Sequence, residues 1–263
     1  MSQPADLADD VAPPSLGLLF GEGRALLEVG WFFQALPVLR RAPRGDGHPV
    51  MVLPGFTASD ASTGLLRWYL RAQGYTVRGW GLGRNRGFSP QLETRMIRRL
   101  QGFHWSQGRT VSLVGWSLGG IFARELARTH PDMVRQVITL GSPFAASPRA
   151  TNAWRVYQRV ARQRIEEIDP ELLRRMRQPP PVPSTAVYSV GDGIAAWRAC
   201  LEPEGELTDN VRVAGSHLGL GVNPMALWVI ADRLAQDESR WRKFEPSGLA
   251  RVVFPGAPLE AAR

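Results

Sequence analysis

A short stretch in the middle of the chain joins a mostly apolar run directly to a helix through a Gly-x-Ser-x-Gly pentapeptide. Residues 110–114 favour a strand, residues 115–119 read Gly-Trp-Ser-Leu-Gly, and residues 121–130 favour a helix. At such a turn the serine is held in a strained backbone conformation and its hydroxyl projects above the sheet. A Gly/Ser-rich loop could match the pentapeptide by chance, but the flanking strand and helix favour a nucleophilic Ser117.

The composition is that of a globular protein with a basic bias. The chain has 263 residues, of which 44% are hydrophobic, and this is enough to bury a substantial core. Its formal net charge of +8 could attract nucleic acid, anionic lipid or an acidic substrate. The arginines that supply the charge are scattered and no known DNA-reading motif accompanies them, so we expect no nucleic-acid partner.

Cysteine usage and the first residues bear on the compartment. The single cysteine, Cys200, excludes an internal disulfide and a zinc site built on a cysteine cluster, and we expect no metal. Residues 1–10 are acidic where a secretory signal would be basic. We therefore expect no export by that route and a cytoplasmic location.

Residues 16–39 are strongly apolar, but Glu22, Arg24, Glu28 and Gln34 interrupt them. The segment is too interrupted to span a bilayer. We favour an N-terminal helical segment, residues 1–48, that packs on the rest of the protein. The alternative is a helix that lies in a membrane interface or lines an acyl-chain entrance, since aromatic-rich amphipathic helices do both.

From residue 49 onward, apolar runs alternate with helical stretches. Strands are predicted at 49–53, 76–80, 110–114, 136–140, 186–190 and 211–214, and helices at 63–73, 92–100, 121–130 and 224–234. This alternation predicts a mostly parallel sheet with helices on both faces, in one α/β domain over 49–263. The connection at about 144–183 is far longer than a crossover needs. Its predicted helices, 154–168 and 170–177, must supply one crossover and are expected to add a helical cap over the site.

A serine hydroxyl is a poor nucleophile at neutral pH and needs an adjacent base. The chain has four histidines. His48 begins the first strand and so lies at the wrong end of the sheet, while His104 precedes the strand of the Ser117 turn and His130 ends the helix that follows it. His217 follows the last predicted strand in a glycine-flanked loop, at the edge where open α/β sheets collect functional residues. We predict that His217 is the base.

The acid that orients this histidine should lie between Ser117 and His217 in the chain and at the same edge of the sheet. Asp192 fits best, because it follows the strand at 186–190 between two glycines, although Asp-Gly is also a common turn sequence. The alternatives are Glu202, Glu206 and Asp209. Of these, Asp209 precedes the last predicted strand and so falls at its amino end.

Attack on a carbonyl creates an oxyanion, which requires N–H donors aimed at it. One donor should be the backbone N–H of Leu118, directly after the nucleophile. The other should come from the loop after the first strand, where Phe56 is the first choice and Thr57 the reserve. The Phe56 side chain would then be free to line an apolar pocket, unless it belongs to the core.

Together these motifs resemble the α/β-hydrolase superfamily, nearest to bacterial esterases and triacylglycerol-lipase-like proteins, over about residues 49–234. The motifs that carry the resemblance are Leu-Pro-Gly-Phe at 53–56, the Ser117 turn, Leu-Gly-Ser-Pro at 140–143, Asp-Gly at 192–193 and Gly-Ser-His at 215–217. The resemblance implies an α/β-hydrolase fold and a serine hydrolase of carboxylic esters that needs no cofactor. Larger members begin with a β-hairpin, whereas this chain has a helical segment there, so we expect a shortened sheet of about six strands.

The leading hypothesis is an esterase or lipase that acts on a small-molecule or lipid ester through Ser117, Asp192 and His217. The alternatives are an acyltransferase or thioesterase with the same residues, and a non-catalytic lipid-binding protein of the same fold. Peripheral membrane contact through residues 16–39 is a further expectation, whereas the oligomeric state cannot be read from the sequence. Three aromatic residues near the site are predicted as substrate contacts, with a core position as the alternative: Trp116, Phe144 and Trp197.

Overall fold

The computed structural model describes residues 11–161, 164, 169–246 and 250–254. Its centre is a six-stranded sheet in which every neighbouring pair of strands is parallel, in the order β2-β1-β3-β4-β5-β6. The strands are β1 (Pro49–Leu53), β2 (Thr76–Gly79), β3 (Val111–Trp116), β4 (Val134–Leu140), β5 (Ser184–Tyr188) and β6 (Thr208–Arg212). The predicted parallel sheet of about six strands is confirmed. Residues 1–10, on which the expectation about export rests, lie outside the described residues.

Helices surround the sheet. They are α1 (Leu16–Gly21), α2 (Ala25–Leu39), α3 (Gly64–Ala72), α4 (Pro90–Gln107), α5 (Leu118–Thr129), α6 (Trp154–Ala161), α7 (Pro170–Arg177), α8 (Pro224–Leu234) and α9 (Ala250–Val253). The helix predicted over 154–168 ends at Ala161, and 162–163 and 165–168 lie outside the described residues. In the part of the chain that is described, no helix is both long and apolar enough to cross a membrane.

Two strands begin earlier than predicted. The sheet pairing of β5 starts at Ser184 and that of β6 at Thr208, whereas apolar residues alone placed these strands at 186–190 and 211–214. Ser184 pairs with Thr208 and Thr185 with Asp209. Backbone hydrogen bonds extend these strands through polar residues, because a ladder requires donors and acceptors rather than apolar side chains.

The core lies on both faces of the sheet, and β1 shows how. Val50 and Val52 pack into one apolar cluster and Met51 and Leu53 into the other, because successive side chains of a strand point to opposite faces. The first cluster contains residues of α2, α3 and α8, among them Phe32, Leu66 and Leu227, and the second contains residues of α4 and α5, among them Met96 and Phe122. The N-terminal helix α2 therefore packs on the same face as α8.

The connection between β4 and β5 carries α6 and α7, and α7 is tied to the helix α5 that follows Ser117. The buried guanidinium of Arg124 donates to the carbonyl oxygens of Met176 and Gln178 at 3.2 and 2.8 Å. Glu125 forms an ion pair with Arg175 at 3.2 Å. These contacts hold the second half of the insertion over the Ser117 end of the sheet.

Candidate active site

Ser117 lies in the left-handed region of backbone conformation at the junction of β3 and α5, with φ 53° and ψ −123°. A non-glycine residue in this region is strained, and such strain is concentrated at functional sites. The Ser117 N–H donates to the carbonyl oxygen of Leu140 at 2.8 Å, which fixes the turn to the neighbouring strand. A Cβ atom on Gly119 would lie 2.4 Å from the carbonyl oxygen of Leu53, so only glycine allows α5 to begin this close to β1.

Asp192 and His217 form a buried pair. Asp192 Oδ2 lies 2.6 Å from His217 Nδ1, while Asp192 Oδ1 accepts from the N–H groups of Ile194 and Ala195 at 2.8 and 2.7 Å. The two carboxylate oxygens thus have different partners, and the aspartate holds one face of the imidazole. Burial alone lowers the pKa of His217, but the charge and hydrogen bond of Asp192, together with the charge of Glu22, raise the pKa above its ordinary value.

This pair lies beside the Ser117 turn. The indole Nε1–H of Trp116 donates to the carbonyl oxygen of His217 at 3.1 Å. A Cβ atom on Gly141, which follows β4 with φ +56°, would lie 3.0 Å from both Asp192 Oδ2 and His217 Nδ1. Among the described residues the Ser117 hydroxyl has no hydrogen-bond partner; catalytic hydrogen bonds to a serine are often long until substrate binds.

The other three histidines are used elsewhere. His48 contacts Asp46 at 2.5 Å and Ser112 at 2.9 Å at the amino end of the sheet, and burial lowers its pKa to about 4. His104 contacts the carbonyl oxygen of Arg109, and His130 contacts the hydroxyl of its neighbour Thr129.

The alternative acids are also held away from His217. Glu202 is buried in an ion pair with Arg124 and accepts from the Ser184 hydroxyl at 2.5 Å. Asp209 is near the amino end of β6 and accepts from the N–H of Phe244 at 2.6 Å. Glu206 is exposed. Asp192 is the one acid of the four that contacts His217 in the described structure.

The loop after β1 approaches Ser117 closely. A Cβ atom on Gly55 would lie 3.3 Å from Ser117 Cβ, and the next residue, Phe56, lines the same cavity as Ser117 and Leu118. The N–H groups of Phe56 and Leu118 have no acceptor among the residues that the structure describes. The reserve donor, Thr57, is different, because its N–H already donates to Asn85 at 2.7 Å.

Asn85 is a residue that the sequence gave no reason to select. Its side-chain Nδ2 donates to the carbonyl oxygen of Pro54 at 2.9 Å, its backbone N–H donates to Ala58 at 2.8 Å, and its own carbonyl receives the Thr57 N–H. Fully buried, it clamps both ends of the turn that carries Phe56. This turn holds Thr57 at φ 60°.

A cavity of about 250 Å³ opens at Ser117 and runs under the insertion. Its walls are chiefly apolar, and those nearest the insertion include Phe56, Phe122, Trp154, Tyr157 and Ile194. The rings of Phe56 and Tyr157 lie 5.3 Å apart, so an aromatic pair joins the first loop to the insertion. The long connection between β4 and β5 therefore forms a roof, as its length suggests.

The three predicted substrate contacts do not line this cavity. The ring of Phe144 is buried beneath the Arg124 guanidinium, 3.6 Å from its centroid. Trp197 stacks on Tyr188 with ring centroids 5.8 Å apart, and Trp116 is engaged with the His217 carbonyl. Their positions in the chain were near the site, but their side chains turn into the surrounding packing.

Comparisons of sequence with known proteins agree with this architecture. A sequence model described as a PGAP1-like alpha/beta domain matches residues 91–196, a stretch that includes Ser117 and Asp192 and ends before His217. A pimeloyl-[acyl-carrier protein] methyl ester esterase from Citrobacter koseri is 35% identical over 74 residues. That match covers 28% of this chain and 27% of the relative's length.

Solved structures extend the likeness to the whole sheet. Aspergillus fumigatus lipase B matches with a TM-score of 0.58 and 17% identity over 79% of this chain and 56% of its own. Bacillus licheniformis lipase BlEst2 in its mature form matches with a TM-score of 0.52 and 15% identity over 72% of this chain and 91% of its own. The chain has the α/β-hydrolase fold. The match to a monoacylglycerol lipase from Paleococcus ferrophilus, with a TM-score of 0.51 and 15% identity, covers 72% of this chain and 96% of that one.

Within this α/β-hydrolase, the N-terminal segment contacts both loops that carry the acid–base pair. The buried Glu22 carboxylate accepts from the N–H groups of Gly193, His217 and Leu218 at 2.8, 2.9 and 2.8 Å. Sequence reasoning missed this role, because charged residues in an apolar run read as interruptions. The charge at regular spacing within residues 16–39 was the available signal.

Two neighbours of Glu22 make similar contacts. Glu28 accepts from the N–H of Ser216 at 2.7 Å, and the Arg24 guanidinium donates to the carbonyl oxygen of Gly215 at 3.0 Å and to that of Gly191. The helical segment therefore supplies acceptors and donors to loops that lie beyond the ends of β5 and β6, where no further strand satisfies them.

Proposed function

We propose that this protein is a serine hydrolase of carboxylic esters in which Ser117 attacks the ester carbonyl. The observation that carries the proposal is the buried Asp192–His217 pair, 2.6 Å apart, beside a serine held at φ 53°. A fold shared with lipases and esterases supports a hydrolase, and an activated serine next to an oriented histidine supports covalent catalysis.

In the proposed reaction, His217 Nε2 takes the Ser117 proton as Oγ bonds to the carbonyl carbon. Asp192 holds Nδ1–H and stabilises the imidazolium that forms. The tetrahedral intermediate collapses when His217 returns the proton to the leaving alcohol, which gives an acyl-enzyme on Ser117. Water, deprotonated by His217, then attacks this ester, and the acid product leaves with Ser117 restored.

The negative charge of each tetrahedral intermediate needs two aimed donors. The N–H groups of Leu118 and Phe56 suit this role, because they border the same cavity as Ser117 and have no acceptor in the described structure. Leu118 is the first residue of α5, so the helix dipole adds to its effect.

The cavity indicates an ester with an apolar acyl group. At about 250 Å³, it exceeds the roughly 150 Å³ cavity that accommodates benzene. Each methylene group buried against its apolar walls should contribute about 0.8 kcal/mol. We therefore expect kcat/KM for p-nitrophenyl esters to rise by about fourfold per methylene from acetate until the cavity is full.

The deciding experiment compares Ser117→Ala with a matched control, Ser106→Ala, at an exposed serine near the end of α4. Wild-type protein and the control should hydrolyse a C2 to C16 p-nitrophenyl series and be labelled by a fluorophosphonate probe. The S117A variant should do neither while it retains its circular dichroism spectrum. Ester turnover by folded S117A would refute the proposal, and rapid probe labelling without turnover would favour acyl transfer to another acceptor.

A further inference from the structure

The N-terminal segment, residues 16–39, exposes its apolar side chains and buries its carboxylates. The side chains of Phe20 and Leu26 are 82% and 83% exposed, whereas Glu22 and Glu28 are buried. This is the reverse of an ordinary surface helix, whose polar residues face water. The other exposed large apolar residues of the segment are Leu16, Leu27, Trp31, Phe33 and Val38. We call these seven side chains the apolar face.

The apolar face continues beyond the segment onto α3. Trp68 is partly exposed and contacts the Phe32 ring edge-on, with centroids 6.1 Å apart. An exposed apolar surface that spans several elements is characteristic of an interaction site rather than of scattered surface residues. Tryptophan and phenylalanine at such a surface suit the boundary between lipid headgroups and acyl chains.

The beginning of the segment borders the roof of the cavity. Asn152 donates through its side-chain nitrogen to the carbonyl oxygens of Pro14 and Gly193 at 3.0 and 2.8 Å. Its neighbour Thr151 lines the cavity, as does Ile194, which follows Gly193. The apolar face therefore begins at the edge of the substrate site.

The charges around the apolar face have one sign. Over residues 11–45 the acidic residues are Glu22 and Glu28, and both are buried. Arg40, Arg41 and Arg44 are exposed just beyond the end of α2. Exposed arginines beside an apolar, aromatic surface complement the headgroups of anionic lipids.

We propose that the apolar face docks on the surface of an anionic lipid bilayer. The segment lies in the interface, its phenylalanine, tryptophan and leucine side chains enter the acyl region, and Arg40, Arg41 and Arg44 contact lipid phosphates. The cavity edge then faces the membrane. That esters reach Ser117 from the bilayer rests on the proposed function, whereas the docking itself does not.

The test measures binding to vesicles with the full chain carrying Ser117→Ala, which leaves lipids intact. Co-sedimentation is compared between phosphatidylcholine vesicles and vesicles that also contain phosphatidylglycerol. Into this background we introduce Phe20→Ser with Leu26→Ser, and as a matched control Trp105→Ser, whose side chain is 69% exposed on α4. We expect binding to the anionic vesicles that falls with salt and weakens by about tenfold or more in the double variant only.

Each other outcome overturns the docking. Absence of binding to anionic vesicles does so directly, as does binding that the double variant retains. Concentration-dependent dimerisation that the double variant abolishes, without vesicle binding, would assign the face to a second copy of the chain. Because binding is read without catalysis, loss of vesicle binding and loss of ester turnover in the wild-type protein are distinguishable failures.

A second inference comes from the buried side of the same segment. We infer that Glu22 is a positioning residue that holds the Asp192 and His217 loops together. One carboxylate oxygen accepts from both Gly193 and His217, and the other accepts from Leu218. A single buried side chain thus bridges the residue after the acid to the base itself.

Charge as well as geometry connects Glu22 to the base. The charged groups around His217 are Asp192, in direct contact, and Glu22; Arg24 and Glu28 contact the flanking residues Gly215 and Ser216. Loss of the Glu22 charge should lower the pKa of His217 from its raised position. A residue with only a structural role would leave that pKa unchanged.

The experiment compares Glu22→Gln with Glu204→Gln, a change at an exposed carboxylate. For E22Q we expect kcat for a p-nitrophenyl ester to fall by about tenfold with little change in KM, and the acid limb of the pH profile to move to lower pH. Unchanged kcat and an unchanged limb would overturn the inference. If E22Q does not fold, Glu22→Asp keeps the charge but shortens the reach, so kcat must fall while the limb stays; an unchanged kcat overturns it.

Discussion

The glycine at the start of α5 offers the sharpest test of how the site is built. In Gly119→Ala, the new methyl carbon would lie 2.4 Å from the carbonyl oxygen of Leu53 and 2.7 Å from that of Pro54. Ordinary contact begins near 3.4 Å, so backbone must move by about 1 Å. Overpacking of this kind costs about 1–3 kcal/mol. The displaced backbone joins the Leu118 and Phe56 N–H groups, and a 1 Å misplacement in an active site can reduce rate by about a hundredfold.

The matched control is Gly102→Ala in the exposed middle of α4, where an added Cβ would meet nothing within 4 Å. Alanine there should stabilise the helix by about 0.5–1 kcal/mol and leave turnover unchanged. Urea unfolding and p-nitrophenyl ester kinetics are measured on both variants. We expect G119A to lose both stability and activity, with the loss in kcat exceeding what its unfolded fraction explains. Wild-type kinetics in G119A would refute the steric account of the turn.

Three further outcomes are expected. Because His217 must be neutral to accept a proton and its pKa is raised above 6.5, kcat/KM should fall as pH drops, with the midpoint of that limb above 6.5; a midpoint near 5 would contradict the assignment of the base. Removal of one partner of the buried Arg124–Glu202 pair should lower the free energy of unfolding by about 3–5 kcal/mol, and in urea titrations Arg124→Met combined with Glu202→Gln should recover part of the loss from R124M alone. Tyr157→Ala should weaken the preference for longer acyl chains, whereas Trp197→Ala, outside the cavity, should leave the chain-length profile as it is.

The sheet was predictable because its signals are local. Apolar runs bounded by turn residues gave all six strands, and parallel strands bring their carboxyl ends to one edge. This placed Ser117, Asp192 and His217 near one another without any contact information. The starts of β5 and β6 were missed because polar residues there join the sheet through backbone hydrogen bonds, which leave no mark in an apolar pattern.

Side-chain direction was the part that sequence could not supply. Pro143 lines the cavity, yet the next residue, Phe144, turns beneath Arg124. In irregular segments no period of two or 3.6 residues relates neighbouring side chains to a common face. The roof was therefore predictable from the length of its connection, whereas the aromatic residues that line it, such as Tyr157, were not.

The N-terminal segment has its unusual polarity because of the loops that it covers. Chain segments beyond the ends of β5 and β6 leave the N–H groups of Gly193, Ser216, His217 and Leu218 without strand partners, and a buried unsatisfied donor costs about 1–3 kcal/mol. Glu22 and Glu28 supply the acceptors, so the polar residues of the segment must face inward. Its apolar residues are then left on the outer face. The charges that interrupt the apolar run therefore serve the acid–base pair, and the same constraint creates the surface that we propose for lipid.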